Sequence, residues 1–452
     1  MRETFLWFET ALLPTGWAER VRVGIVDGRI ASVTEAVDAE AADQRGAIAL
    51  PGLPNLHSHA FQRAMAGLTE ARGPDADNFW TWRDLMYRFV DRLDPEMVEA
   101  VAAMAFVEML ECGFTRVGEF HYLHHDPGGR PYSDRAEMGT RVASAAAETG
   151  IGLTLLPVFY AHAGFGGLPP LPGQRRFTNS LHSFGRLLEA SRSAVSCLPD
   201  AVVGAAPHSL RATTEEELVA VAALAGGPIH IHIAEQVQEV DDCLAWSGAR
   251  PVTWLLDRLP VDPGWCLVHA THMTTEETRR LAASGAVAGL CPITEANLGD
   301  GLFPARDFLS GGGTFGVGSD SNVRIDATEE LRLLEYGQRL YHRARNVLSP
   351  GPGRSTGAVL YHGALAGGSQ ALGAPAALRS GASADIVVLD ARHPDLAGRS
   401  GDALLDALIF SAGSRLVKEV WRAGVRVVEN GRHRYRNRIV ARYRSAMDRL
   451  TA

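Results

Sequence analysis

Apolar residues fall into two kinds of pattern along this chain. Toward both ends they alternate with polar residues over short stretches, the period-two signature of half-buried strands. VRVGIVDGRIASV (21–33) holds two such runs around Asp27-Gly28, a hairpin signal. The opening MRETFLWFETALLP reads as a strand, since it is acidic and lacks the long apolar stretch of a signal peptide. Near the other end, ADIVVLD (384–390) is an apolar strand. VKEVWRAGVRVVENGR (417–432) has apolar runs divided by Ala423-Gly424 and closed by Asn430-Gly431. The two ends are expected to pair into one small β-sandwich domain made from residues 1–50 and 376–452.

Between them the pattern changes. Eight short apolar runs, at 48–59, 115–120, 151–160, 202–209, 228–235, 266–272, 286–295 and 315–321, alternate with helix-like segments. Near-continuous apolar runs are how strands buried on both faces read. Two of the helical segments, TTEEELVAVAALAGG (213–227) and TTEETRRLAASG (274–285), open on Thr caps with acidic first turns and close on Gly. Strand and helix in alternation imply a parallel sheet with right-handed crossovers. Eight repeats predict an α/β fold, a (β/α)8 TIM-like barrel over 51–375. AHAGFGGLPPLPGQRR (161–176) reads as a long loop after the third strand, of the kind that often carries function.

The runs end in polar residues: His57 and His59, Glu119, Tyr160, His208, His232 and Glu235, His269, Glu295, Asp320. The C-terminal ends of barrel strands are where such folds build active sites. Composition then narrows the chemistry. With 46% hydrophobic residues and a formal charge of −8, the chain is globular and carries no basic block, so nucleic acid is not an expected partner. No apolar run reaches membrane-spanning length. Five cysteines without a CxxC pair argue against a disulfide framework or a cysteine zinc site, and the expected compartment is the cytoplasm. The basic residues are 43 arginines and a single lysine, Lys418.

His57-x-His59 at a strand end places both imidazoles on one face, a chelating geometry. In HIHIAE, His230 and His232 likewise share a face and Glu235 follows. Spacing alone does not choose between the two histidines. His269 closes the sixth run and Asp320 the eighth. Imidazole and carboxylate ligands with an open position suit a catalytic divalent metal.

This order, HxH, then HxxE, then His, then SD after an apolar strand, resembles the amidohydrolase superfamily. More narrowly, NLHSHAFQRAMAGLTE (55–70), FWTWRDLMYR (79–88), APHSLRA (206–212), HIHIAEQ (230–236) and VGSDSNVRID (317–326) are similar to the formimidoylglutamate deiminases of that superfamily. The resemblance covers nearly the whole chain. It implies hydrolysis of N-formimidoyl-L-glutamate to N-formyl-L-glutamate and ammonia in histidine degradation. It implies His57, His59, His232 and Asp320 as metal ligands; position nearer the strand end also favours His232, leaving His230 deeper and packed. A lysine carbamate bridging two metals has no candidate in the barrel, because Lys418 belongs to the predicted β domain. One divalent ion per chain is expected, Zn2+ first among the possibilities.

A bound zinc brings the pKa of its water near 7, and the expected reaction is attack of the resulting hydroxide on the amidine carbon. Glu235 would take the water's proton and pass it to the leaving nitrogen, His269 would steady the adduct, and Asp320 would ligate the metal and assist. A small-molecule dicarboxylate substrate needs fixed cations, and arginine binds carboxylates bidentately. Arg83 and Arg211 resemble family positions for this, with His208 and Tyr122 as further contacts and Gln62 on the formimino group. The cluster His121, His124 and His125 reads as loop histidines. The family resemblance implies a homodimer. Two rival readings are a superfamily deaminase of a heterocyclic base or triazine, where stacking aromatics outweigh paired arginines, and a non-catalytic barrel, which predicts lost ligands. No phosphate-loop or dinucleotide motif follows a strand.

Overall fold

The alternating stretches at the two ends of the chain hydrogen-bond into one eight-stranded sheet. In the computed structural model, which describes residues 3–72 and 78–452, its strands run in the order Arg432–His433, Val425–Glu429, Val417–Arg422, Ile386–Leu389, Gln44–Pro51, Glu3–Leu13, Gly16–Val26, Arg29–Thr34. Neighbours are antiparallel except Glu3–Leu13 with Gln44–Pro51. Three of its turns have two residues, Asp27-Gly28, Ala423-Gly424 and Asn430-Gly431, all with φ between 46° and 79°. Both positions of a type I′ turn require positive φ, which is why each pair ends in glycine. Val21, Val23 and Ile25 point to one face, packing with Leu6, Phe8, Ile386 and Trp421.

The eight apolar runs supply eight parallel strands: Leu53–Ser58, Phe114–His121, Gly152–Phe159, a broken fourth (Val202–Val203 and Ala206–Pro207), Ile229–Ile233, Trp265–His269, Val287–Leu290 and Thr314–Val317. Parallel pairing runs through the first four and through the last four. Bridges Ala205 to Ile229, Ser209 to His232 and Ser58 to Asp320 join the two halves and close the barrel. At that last seam a Cβ on Gly318 would lie 2.7 Å from the His57 backbone nitrogen, so only glycine lets strand eight come this close to strand one.

Two runs divide where the sequence reading kept them whole. The run 48–59 gives its first part to the terminal sheet and bends at Gly52 into the first barrel strand. The run 286–295 ends as strand at Leu290, and Pro292 opens a helix, Pro292–Leu298. Glu295 therefore stands on a helix behind strand seven, because proline at the first helical position is favoured and cannot continue a ladder.

The barrel helices stop and start as their caps require. Thr214 and Thr274 each form capping boxes with the glutamate three residues on. The helix Phe79–Val90 is an excursion between strands one and two, capped by Asn78, and it brings Arg83 and Tyr87 over the barrel mouth. At the other end of the barrel a buried charge network ties it to the terminal sheet. Arg116 pairs with Asp200 at 2.5 Å, Arg422 pairs with Asp200 and with Asp385 (3.1 Å), and Arg422 also donates to the Thr115 carbonyl. The last helix, Arg436–Thr451, leaves the sheet and buries Ile439, Ala446 and Leu450. Among the described residues no helix is long and apolar enough to cross a membrane.

Candidate active site

A cavity opens at the C-terminal ends of the barrel strands. Gln62, Arg83, Tyr122, His208, Arg211, His59, His232, Glu235, His269 and Asp320 all line it. His57 is fully buried and reaches the same cluster through its Nε2. The sequence-predicted residues are thus brought together, while Lys418 lies on the terminal-sheet strand Val417–Arg422.

Four side chains converge. His57 Nε2 is 3.2 Å from His59 Nε2 and 3.0 Å from His232 Nε2. Asp320 Oδ1 is 3.2 Å from His59 Nε2 and 3.5 Å from His57 Nε2. Their ligand atoms all lie within 4.8 Å of one another. The outer nitrogens fix the tautomers: His59 Nδ1 faces the Phe120 carbonyl at 2.9 Å and His232 Nδ1 the His208 carbonyl at 3.2 Å, so each must donate there. Their Nε2 lone pairs then point inward at one another and at a carboxylate. Such a set repels itself unless a cation sits within it, and three imidazoles with one carboxylate are a suitable donor set for a divalent metal. Burial pushes the His57 imidazole down to about 3, with His59 adding to the effect. Burial, aided by His57 and His208, likewise holds His232 well below its ordinary value. Burial alone would raise Asp320, but the neighbouring His57 and His59 outweigh it and hold the carboxyl well below its ordinary value.

His230 lies deeper, fully buried, its Nε2 2.7 Å from the Ala371 carbonyl, and burial lowers it to about 4. His121 ends strand two, and His124 and His125 bond the Val158 and Thr178 carbonyls, so none of the three joins the ligand cluster.

Beside the cluster stand further ionisable groups. Glu235 Oε1 is 3.9 Å from His269 Nε2 and Oε2 is 3.9 Å from Arg211. Burial raises the Glu235 carboxyl to about 7, against the pull of His269 and Arg211. For His269, burial lowers the pKa, but Glu235, Glu295 and Asp320 outweigh it and raise the imidazole to about 10. Glu295 Oε1 is 3.2 Å from His269 Nδ1 and accepts the Cys291 amide, which turns His269 Nε2 toward Asp320 Oδ2 at 3.8 Å. Glu239 accepts from the amides of Ala234 and Glu235 and lies 3.8 Å from Arg211.

Backbone strain gathers at these strand ends. Ala234, His269, Ala270, Asp320 and Asn322 all have φ between 42° and 68°. Each such residue costs of order 1 kcal/mol or more and persists only where its surroundings fix it. Around Asp320 and Asn322 the side chains of Asn55, Ser319 and Asn322 do so, with Asn322 donating to Ser58, His59 and Asp320.

The remaining wall sets two guanidinium groups among aromatic rings. Arg83 and Arg211 each have a buried Nε without a protein partner, stack near Trp80, and flank Phe79 and Tyr87. Gln62 donates to the Tyr122 hydroxyl at 2.7 Å, and its own Oε1 is buried and unpartnered. Burial, with Arg211 nearby, keeps His208 neutral.

The model of the amidohydrolase family matches residues 48–427, and that of the formimidoylglutamate deiminase HutF N-terminal domain matches residues 3–47. The chain belongs to the amidohydrolase family. It is 53% identical to formimidoylglutamate deiminase of Pseudomonas aeruginosa over 95% of both chains. It is 29% identical to 8-oxoguanine deaminase of the same organism over 66% of each. A crystal structure of an amidohydrolase from Brucella melitensis superposes with a TM-score of 0.97 at 54% identity, covering 99% of this chain and 100% of that one. The sequence singled out Glu235, His269 and Asp320, and the structure brings them to one cavity. Glu295 was noted as the end of a strand and stands on a helix instead; Glu239, Tyr87 and Gln174 were not singled out, because their partners come from other elements.

Proposed function

We infer that this amidohydrolase hydrolyses N-formimidoyl-L-glutamate to N-formyl-L-glutamate and ammonia, a step of histidine degradation. One observation carries the reading beside the 53% identity: two arginines with free Nε groups share a single cavity with a three-histidine, one-aspartate cluster and a carboxyl raised to about 7. An amidine bearing carboxylates needs all of these.

His57, His59, His232 and Asp320 would hold one divalent cation, which we take to be Zn2+. When bound it supplies the Lewis acid that makes water acidic enough to react near neutral pH. Glu235 takes the proton from the attacking water and passes it to the amidine nitrogen; it then carries the adduct's hydroxyl proton to the same nitrogen as the C–N bond breaks and the C=O forms, and ammonia leaves. His269, oriented by Glu295, donates to the oxygen that adds to the carbon. Gln62 and Tyr122 orient the formimidoyl group, and Arg83, Arg211 and His208 hold the carboxylates. The protein is proposed to act in the cytoplasm as a homodimer, without nucleic acid or membrane as a partner; four of the five free cysteines are buried, in keeping with a reducing compartment.

The test is turnover by the zinc-loaded protein. Ammonia and formylglutamate in equal amounts from formimidoyl-L-glutamate support the reading. Turnover of a purine or triazine with none of formimidoyl-L-glutamate overturns it. Light scattering that gives a monomer mass removes the dimer.

A further inference from the structure

Three residues have no part in the chemistry described so far: Tyr87 and Tyr160, which line the cavity, and Gln174, which bonds both from behind. Tyr160 ends the third barrel strand, 4.7 Å from the His208 ring, which in turn is 5.0 Å from His232. Gln174 is fully buried in the loop 161–176. Its Oε1 accepts the Leu171 amide at 2.8 Å. A backbone N–H can only donate, so this contact fixes which way the carboxamide faces and turns its NH2 toward the phenols. Nε2 lies 2.8 Å from the Tyr160 hydroxyl and 3.2 Å from that of Tyr87.

Both phenol oxygens are therefore acceptors toward Gln174, and their own hydrogens must go elsewhere. At most one can be shared between the two rings, which leaves at least one O–H to donate. Burial keeps the Tyr160 phenol protonated. Both rings line the cavity beside Arg83 and Arg211, with the Arg83 guanidinium 5.5 Å from the Tyr87 ring centroid. A ligand group that accepts from a phenol and two guanidinium edges together is an oxyanion.

We propose that Tyr160 and Tyr87 bind one carboxylate of the substrate alongside Arg83 and Arg211, and that Gln174 is the positioning residue that aims their hydroxyls. The proposal rests on the functional reading above and deepens it. Loop 161–176 then contributes to specificity through a single amide while supplying no reacting group.

Steady-state kinetics on the metal-loaded protein tests this with three substrates: formimidoyl-L-glutamate, N-formimidoyl-4-aminobutyrate (no α-carboxylate) and N-formimidoyl-L-norvaline (no side-chain carboxylate). Tyr87→Phe combined with Tyr160→Phe keeps the ring packing and is expected to raise KM for formimidoyl-L-glutamate about tenfold or more, with a much smaller change in kcat. Gln174→Glu still accepts from Leu171 but claims the phenol hydrogens, and is expected to raise KM similarly. Both effects should vanish with whichever truncated substrate lacks the contacted carboxylate, and persist with the other. An unchanged KM in a protein whose wild type turns over formimidoyl-L-glutamate overturns the proposal alone. Equal sensitivity with all three substrates assigns the residues to packing and also overturns it. No turnover by the wild type overturns the functional reading beneath it.

Discussion

Glu235 meets His269 and Arg211 at 3.9 Å on either side, too far for hydrogen bonds, so its carboxylate is free to take a proton from water. Replacing it isosterically removes that acceptor and little else. Glu235→Gln is expected to lower kcat about 10²–10⁴-fold with metal content unchanged, as metal analysis beside turnover will show. The pH dependence follows from the same residue. Burial raises its carboxyl to about 7, and the base must be ionised to act, so activity is present above that value and lost as pH falls through it. A cation on Asp320 draws the value down, which places the acid limb of kcat/KM at or below pH 7. Glu239 opposes ionisation of Glu235. Glu239→Gln should therefore move the acid limb to lower pH, and a limb that moves upward contradicts this electrostatic picture.

At the scale of elements, what could be read from the chain was local. Asp27-Gly28, Ala423-Gly424 and Asn430-Gly431 mark turns because a type I′ turn needs its two residues and nothing beyond them. HxH and HxxE could be placed because strand ends line one face of a barrel. Glu295 was misplaced because ten apolar-rich residues look continuous although Pro292 starts a helix within them. Gln174 was invisible as a site residue because its partner Tyr87 is 87 residues away. The charge network beneath the barrel was hidden for the same reason, since Arg116, Asp200, Asp385 and Arg422 come from four separate segments. Arg422 is 3% exposed, and its removal leaves Asp385 without its cation in a buried place. Arg422→Ala is expected to cost about 3–5 kcal/mol in urea unfolding, and a loss below about 1 kcal/mol would mean the network relaxes onto water.

A divalent cation held by His57, His59, His232 and Asp320 would link the whole molecule's stability to its chemistry. Its ligands come from strands one, five and eight, so a cation held there ties together the barrel seam that Ser58 and Asp320 bridge and the opposite half of the sheet. A cation that binds only the folded state stabilises by RT ln(1 + [M]/Kd), about 2.7 kcal/mol at one hundred times Kd and about 4.1 at one thousand. The metal-free protein carries instead the mutual repulsion of inward lone pairs and a carboxylate. Acid weakens it further. His57, at about 3 when folded against 6.5 unfolded, binds more proton in the unfolded chain between those values, so its contribution is lost as pH falls from 6.5 toward 3. His230, at about 4, acts in the same direction over a narrower window. Chelation should therefore lower the melting temperature, and zinc should restore it in proportion to log concentration. Asp320→Ala should narrow the gap between the melts with chelator and with zinc without closing it, because three imidazoles remain to hold the ion more weakly. A wild-type melt indifferent to chelator would show that the four side chains hold no metal, and two tightly bound ions per chain would contradict a single-metal centre.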